Sequence, residues 1–157
     1  MDSKIELFMQ RAQDELLLAQ TDMRISQEED IKKILGILIT KTFYHSVISH
    51  AYYAIFNGAK AYLCKKGIIT TPPAEHRKTY EKFKEQVDTG HLDKELLDIY
   101  EDELMKASVL LRIFKREKRK RGKFTYNIKA AANIPYAQES ITHAREFVSM
   151  IGELLKI

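Results

Sequence analysis

The 157-residue sequence contains one cysteine, three prolines, six glycines and no tryptophan. With Cys64 alone, no intrachain disulfide and no cysteine-based zinc site can form, and in an apolar stretch this thiol reads as a small packing residue. So few glycines and prolines leave too little punctuation for strands joined by tight turns. The longest nearly apolar run, Ile34 to Ile39, is far too short to cross a bilayer. The first residues are acidic and amphipathic and lack the apolar centre of a secretion signal, so a cytoplasmic, non-membrane protein is expected. The five histidines form no His-x-x-x-His pair and no carboxylate cluster accompanies them, so no metal and no cofactor is expected.

What is present is helical periodicity. Apolar residues make up 45% and charged residues 31%, which suits one globular domain over residues 1–157. Ile5, Phe8, Met9, Ala12, Leu16, Ala19 and Met23 recur at three- and four-residue steps, predicting a helix from about Asp2 to Met23 capped by Asp2 or Ser3. The polar stretch Arg24 to Asp30 interrupts it, and Ile31 to Ile39 reads as a lead-in turn with Gly36 as its weak point. From Phe43 to Lys66 small or apolar residues occupy several faces, the pattern of a central buried helix, with Gly67 as its stop. Ile69 to Pro73 is the clearest loop. A short helix follows, with Tyr80, Phe83 and Val87 inward and its end near Gly90. Leu92, Leu96, Ile99, Leu104, Ala107, Leu111 and Phe114 stripe the next helix. The last opens near Asn133 and Pro135 and buries Ala137, Ile141, Ala144, Val148, Ile151 and Leu155. The expectation is an all-α, antiparallel bundle of about five helices, four long and one short.

The net charge of +4 is unevenly placed. Residues 115–123 hold seven cations and one acid, a net of +6, so the rest of the chain carries −2. Seven cations in nine residues exceed what a helix C-terminus needs, and they suit an anionic partner: nucleic acid or an acidic protein.

Two motifs carry a family resemblance. Ser49-His50-Ala51-Tyr52-Tyr53-Ala54-Ile55-Phe56, continuing through alanines to Lys66-Gly67-Ile68, is similar to a segment of the HEPN family of helical nucleotide- and RNA-associated proteins. Arg121-Gly122-Lys123-Phe124-Thr125-Tyr126 resembles that family's variant motif, an Arg followed four residues later by Asp and five later by Tyr. Thr89 to Leu96 resembles the usual link into the long helix, and the likeness spans roughly Phe43 to Leu155. The chain departs from the variant at Thr125. It also lacks the Arg-to-His spacing of the family's ribonucleases, because Tyr126 stands where the His would be.

The resemblance implies a prokaryotic, HEPN-like helical domain that pairs with itself. It implies binding of nucleotide or RNA, or partnership with a small nucleotidyltransferase in a toxin–antitoxin-like pair. The alternatives are a metal-independent endoribonuclease using Arg121 and a dimerising module without catalysis. Catalysis is the weaker expectation, because an ordinary tyrosine, ionising near about pH 10, carries protons poorly at neutral pH. The candidate catalytic residues are Arg121 and Tyr126. The candidate ligand-binding residues are Ser49, Tyr53, Asn57, Lys118, Arg119, Lys120, Arg121 and Lys123. On a helix Ser49, Tyr53 and Asn57 share a face. Arg121 offers a guanidinium fork for phosphate, Tyr126 a ring for stacking on a base.

Overall fold

The computed structural model describes residues 2–111 and 134–156. Six helices lie among them: α1 (Ser3–Gln27), α2 (Glu29–Leu35), α3 (Tyr44–Lys65), α4 (Glu75–Asp88), α5 (Lys94–Leu111) and α6 (Ile134–Leu155). There is no strand among the described residues, and no helix there is long and apolar enough to cross a membrane. The architecture is an all-α bundle.

Helix α3 is its axis and packs against α1, α4, α5 and α6. Its alternation of small and large apolar residues explains this position. Ala51, Ala54, Ala59 and Ala61 are fully buried, as are Val47, Ile48, Tyr52 and Ile55. A helix buried on several faces needs short side chains wherever a neighbour comes close. At Gly58 a Cβ would stand 3.3 Å from Phe147 of α6. The small-residue face of α3 is therefore filled by the protomer's own α6, not left open for a second copy. Lys66 and Gly67 close the helix: Gly67 takes φ 78°, and the amides of Gly67 and Ile68 donate back to Cys64 and Leu63 carbonyls. Cys64 is half-buried and packs on the core.

The remaining helices lay single apolar stripes on this axis. Asp2 caps α1, accepting from the Lys4 amide at 2.8 Å. The stripe read for α6 is buried throughout, joined by Phe147 and Ser140. In α4, Phe83 is fully buried, while Tyr80 and Val87 pack at the edge of the core.

Two expectations need correction. First, α1 does not stop at Met23 but continues one turn to Gln27. The polar stretch is helical because its side chains are satisfied locally. Arg24 pairs with Glu28 at 2.7 Å, and the buried Ser26 hydroxyl donates to the Asp22 carbonyl at 2.7 Å. The break is only Glu28. Second, the lead-in turn is a separate helix, α2, ended by Gly36 at φ 70°, so the described residues alone hold six helices where about five were expected.

Candidate functional site

The polar residues of the α3 motif serve the fold itself. Ser49 Oγ donates to the His45 carbonyl at 3.0 Å, and Asn57 Nδ2 to the Tyr53 carbonyl at 2.8 Å, both within α3. Tyr53 is half-buried, its ring tilted on Tyr52 and edge-on to His76. The Tyr52 hydroxyl and His76 Nδ1 share a hydrogen bond of 2.7 Å, and the His76 ring stacks on Phe56 with centroids 4.2 Å apart. Lys60 pairs with Glu75 and lies over the Phe8 ring. The motif thus clamps the start of α4 onto α3. Burial holds the His76 imidazole below its ordinary range, which favours the neutral ring. Arg121, Tyr126, Lys118, Arg119, Lys120 and Lys123 lie outside the described residues.

A second constellation joins α5 to α6, the helices on either side of the basic segment. Asp102, Glu103 and Lys106 stand at steps of one, three and four on α5, and Glu139 and His143 four apart on α6. Glu103 is fully buried, and Lys106 is 8% exposed. The Lys106 ammonium donates to Glu139 Oε1 at 2.5 Å and Glu103 Oε2 at 2.9 Å, and lies 3.4 Å from Asp102 Oδ2. His143 Nδ1 donates to Glu103 Oε2 at 2.8 Å. The Tyr136 ring, near the start of α6, faces Lys106 at 5.5 Å.

Two shifts follow. The hydrogen bond to Glu103 raises the His143 imidazole above its ordinary value, with Glu103 and Asp102 charge adding, while burial and Lys106 oppose. Burial works to lower the Lys106 ammonium, but its bonds to Glu139 and Glu103 outweigh that, and the net shift is upward. Both shifts favour the cationic form beside a buried carboxylate.

This overturns the expectation that no carboxylate cluster accompanies a histidine. Asp102, Glu103, Glu139 and His143 bring ligand atoms within 4.8 Å of one another. The protein's own ammonium, from Lys106, contacts all three carboxylates of that group, so the cluster is partly neutralised internally. Glu103 Oε1, Tyr100 OH and Ser140 Oγ nearby in sequence are buried without a hydrogen-bond partner. One sequence signal could have disclosed the cluster. Glu103 falls on the apolar stripe of α5, four residues from both Ile99 and Ala107, where a carboxylate needs a buried partner. The partner residues on α6 are 33 and 40 positions away and leave no local trace.

The network has two chemical capacities. It favours the protonated form of an imidazole, and it ties α5 to α6, which flank the basic segment in the sequence. A second His–carboxylate group, His50 with Glu15 at 2.5 Å and Asp22 at 3.7 Å, links α3 to α1.

Opposite shifts at two histidines give a pH prediction. A proton resonance titration should find His143 with its midpoint above about 6.5 and His76 below it. Because the folded-state value of His143 is raised, its stabilisation is complete below the unfolded value and is lost as pH rises through the folded one. His143→Gln should remove that part of the decline in urea midpoint between neutral and alkaline pH. An unchanged pH profile in the variant would show that His143 does not carry it.

Comparison with known proteins adds no assignment: no protein-family model, no curated protein and no solved structure matches this chain. The class defined by the fold is that of all-helical bundle domains, here with an acid–base network bracketing a strongly basic segment.

Proposed function

We propose that this chain is a HEPN-like helical domain that binds RNA or nucleotide electrostatically, through the segment between α5 and α6. It acts as a homodimer, alongside a small nucleotidyltransferase in a toxin–antitoxin-like pair, in the cytoplasm. The observation that carries the reading is charge segregation. Residues 112–133 hold nine cations against one acid, a net of +8, which leaves −4 on the remainder of a chain whose total is +4. A cationic segment between two helices of an otherwise acidic body directs an anion to one place. The His143–Glu103 bond bears on this, since it joins α5 to α6, the helices that flank that segment.

In a fluorescence anisotropy titration with single-stranded RNA at moderate salt, replacing Lys118, Arg119 and Lys120 by Ala should weaken binding by about tenfold or more. Unchanged affinity would assign the segment to an acidic protein partner instead.

A second reading, metal-independent endoribonuclease, draws on the His143–Glu103 pair, because an imidazole held by a carboxylate can move a proton at neutral pH. Arg121 would supply the phosphate-binding cation. Under the binding reading, metal-free protein leaves a structured RNA intact. Cleavage that is lost in Arg121→Ala would promote the enzyme reading.

A further inference from the structure

Among the described residues, the largest run of exposed apolar side chains lies at the end of α2 and the corner that follows it. Ile34 is 83% exposed, Leu35 55%, Leu38 77% and Ile39 48%. Isolated exposed leucines are ordinary on any surface, but four within six residues are not.

The corner is held in shape. Gly36 turns the chain at φ 70°, with its own amide donating to the Lys33 carbonyl at 3.2 Å and that of Ile37 to Lys32 at 2.8 Å. Lys32 is 4% exposed, and its ammonium donates to the Ile39 carbonyl at 2.7 Å. The Lys41 amide donates to Leu38, and the Phe43 amide to the buried Ser26 hydroxyl at 2.7 Å. Burying an ammonium is unfavourable unless its geometry is fixed, so the bond from Lys32 imposes one conformation on residues 36–41. A preformed apolar surface loses little entropy when it is covered.

We infer that this corner is where two copies of the chain pair, with their α2 helices antiparallel about a twofold axis. The inference rests on the homodimer of the proposed function and assigns it a face. Apolar exposure supports a second copy. Four large aliphatic side chains, each about half-exposed or more, give the corner the apolar centre that homodimer interfaces carry. Charge supports it as well. Exposed Glu29 and Asp30 stand at the start of α2, and exposed Lys33 at its end with Lys41 beyond. Antiparallel pairing sets the acidic end of one α2 against the basic end of the other, and no unlike partner is needed. An anionic lipid surface would meet Glu29 and Asp30 in repulsion.

Sedimentation equilibrium of the full chain over the micromolar range tests this. Wild type is expected to be dimeric. Leu38→Glu and, separately, Ile34→Glu should each raise the dissociation constant at least tenfold while the monomer keeps its helical circular dichroism, because both side chains are exposed in the protomer. Lys33→Glu alone and Glu29→Lys alone should each weaken pairing, and the two together should restore it. Restoration is particular to a self-complementary, antiparallel contact. A monomeric wild type would overturn both the pairing and this face. A dimer that survives Leu38→Glu and Ile34→Glu would keep the homodimer and overturn the corner as its interface. Loss of pairing without rescue by the double charge swap would overturn the antiparallel arrangement.

Discussion

Lys106→Met should destabilise the protein by about 3–5 kcal/mol, a fall in melting temperature of about 10–15 °C for a chain of this size. Methionine retains most of the lysine's apolar stem, so the effect isolates the charge. Glu103 is fully buried, and without the ammonium its carboxylate keeps only His143 as a charged partner. Asp102 and Glu139 are nearly half-exposed and are solvated by water, so their contacts with Lys106 contribute little. The cost is that of leaving one carboxylate buried and under-compensated. It follows that Lys106→Met combined with Glu103→Met should recover most of the stability, since an apolar pair of similar volume replaces the ion pair. A double variant as unstable as Lys106→Met alone would show that packing, not charge, sets the loss.

Phe147→Ala should cost about 3–5 kcal/mol, the range for emptying a buried aromatic site. The ring is fully buried. It meets Phe83 at 5.5 Å, stands edge-on to Tyr100 at 6.0 Å and touches the backbone of α3 at Gly58. Four helices thus depend on one side chain, and none of its rigid ring neighbours can shift to fill the space. A counterpart follows from the close approach at Gly58. Gly58→Leu should be strongly destabilising in the wild type, where the new side chain enters the ring, and much less so in Phe147→Ala. Chemical denaturation of the four proteins checks the non-additivity, and additive effects would contradict the packing described.

The elements most legible in the sequence were those governed by local rules. The α6 stripe from Ala137 to Leu155, the Asp2 cap and the Gly67 stop follow from periodicity and from backbone conformations that few residues adopt. The central position of α3 was legible in its small residues, although the neighbour they admit, Phe147, was not. The misread segments were polar. Arg24 to Gln27 remain helical because ion pairs and a buried hydroxyl bond satisfy them, which a hydropathy pattern does not register. The Glu103–Lys106–Glu139–His143 network was hidden for a related reason. Each helix shows only its own charged residues, and the pairing depends on how α5 lies against α6. Ser49 and Asn57, by contrast, were legible as one face of α3, and their polar atoms are bonded to their own helix.

The account rests on the basic segment as an anion-binding element, and the salt dependence of RNA binding tests it most directly. Titrating single-stranded RNA at several salt concentrations should give a steep linear fall of log K with log salt. The slope should be about −0.7 for each phosphate contacted, and shallower by about 2 when Lys118, Arg119 and Lys120 are replaced by Ala. Absence of binding at low salt, or a slope near zero that the triple replacement leaves unchanged, would contradict the account.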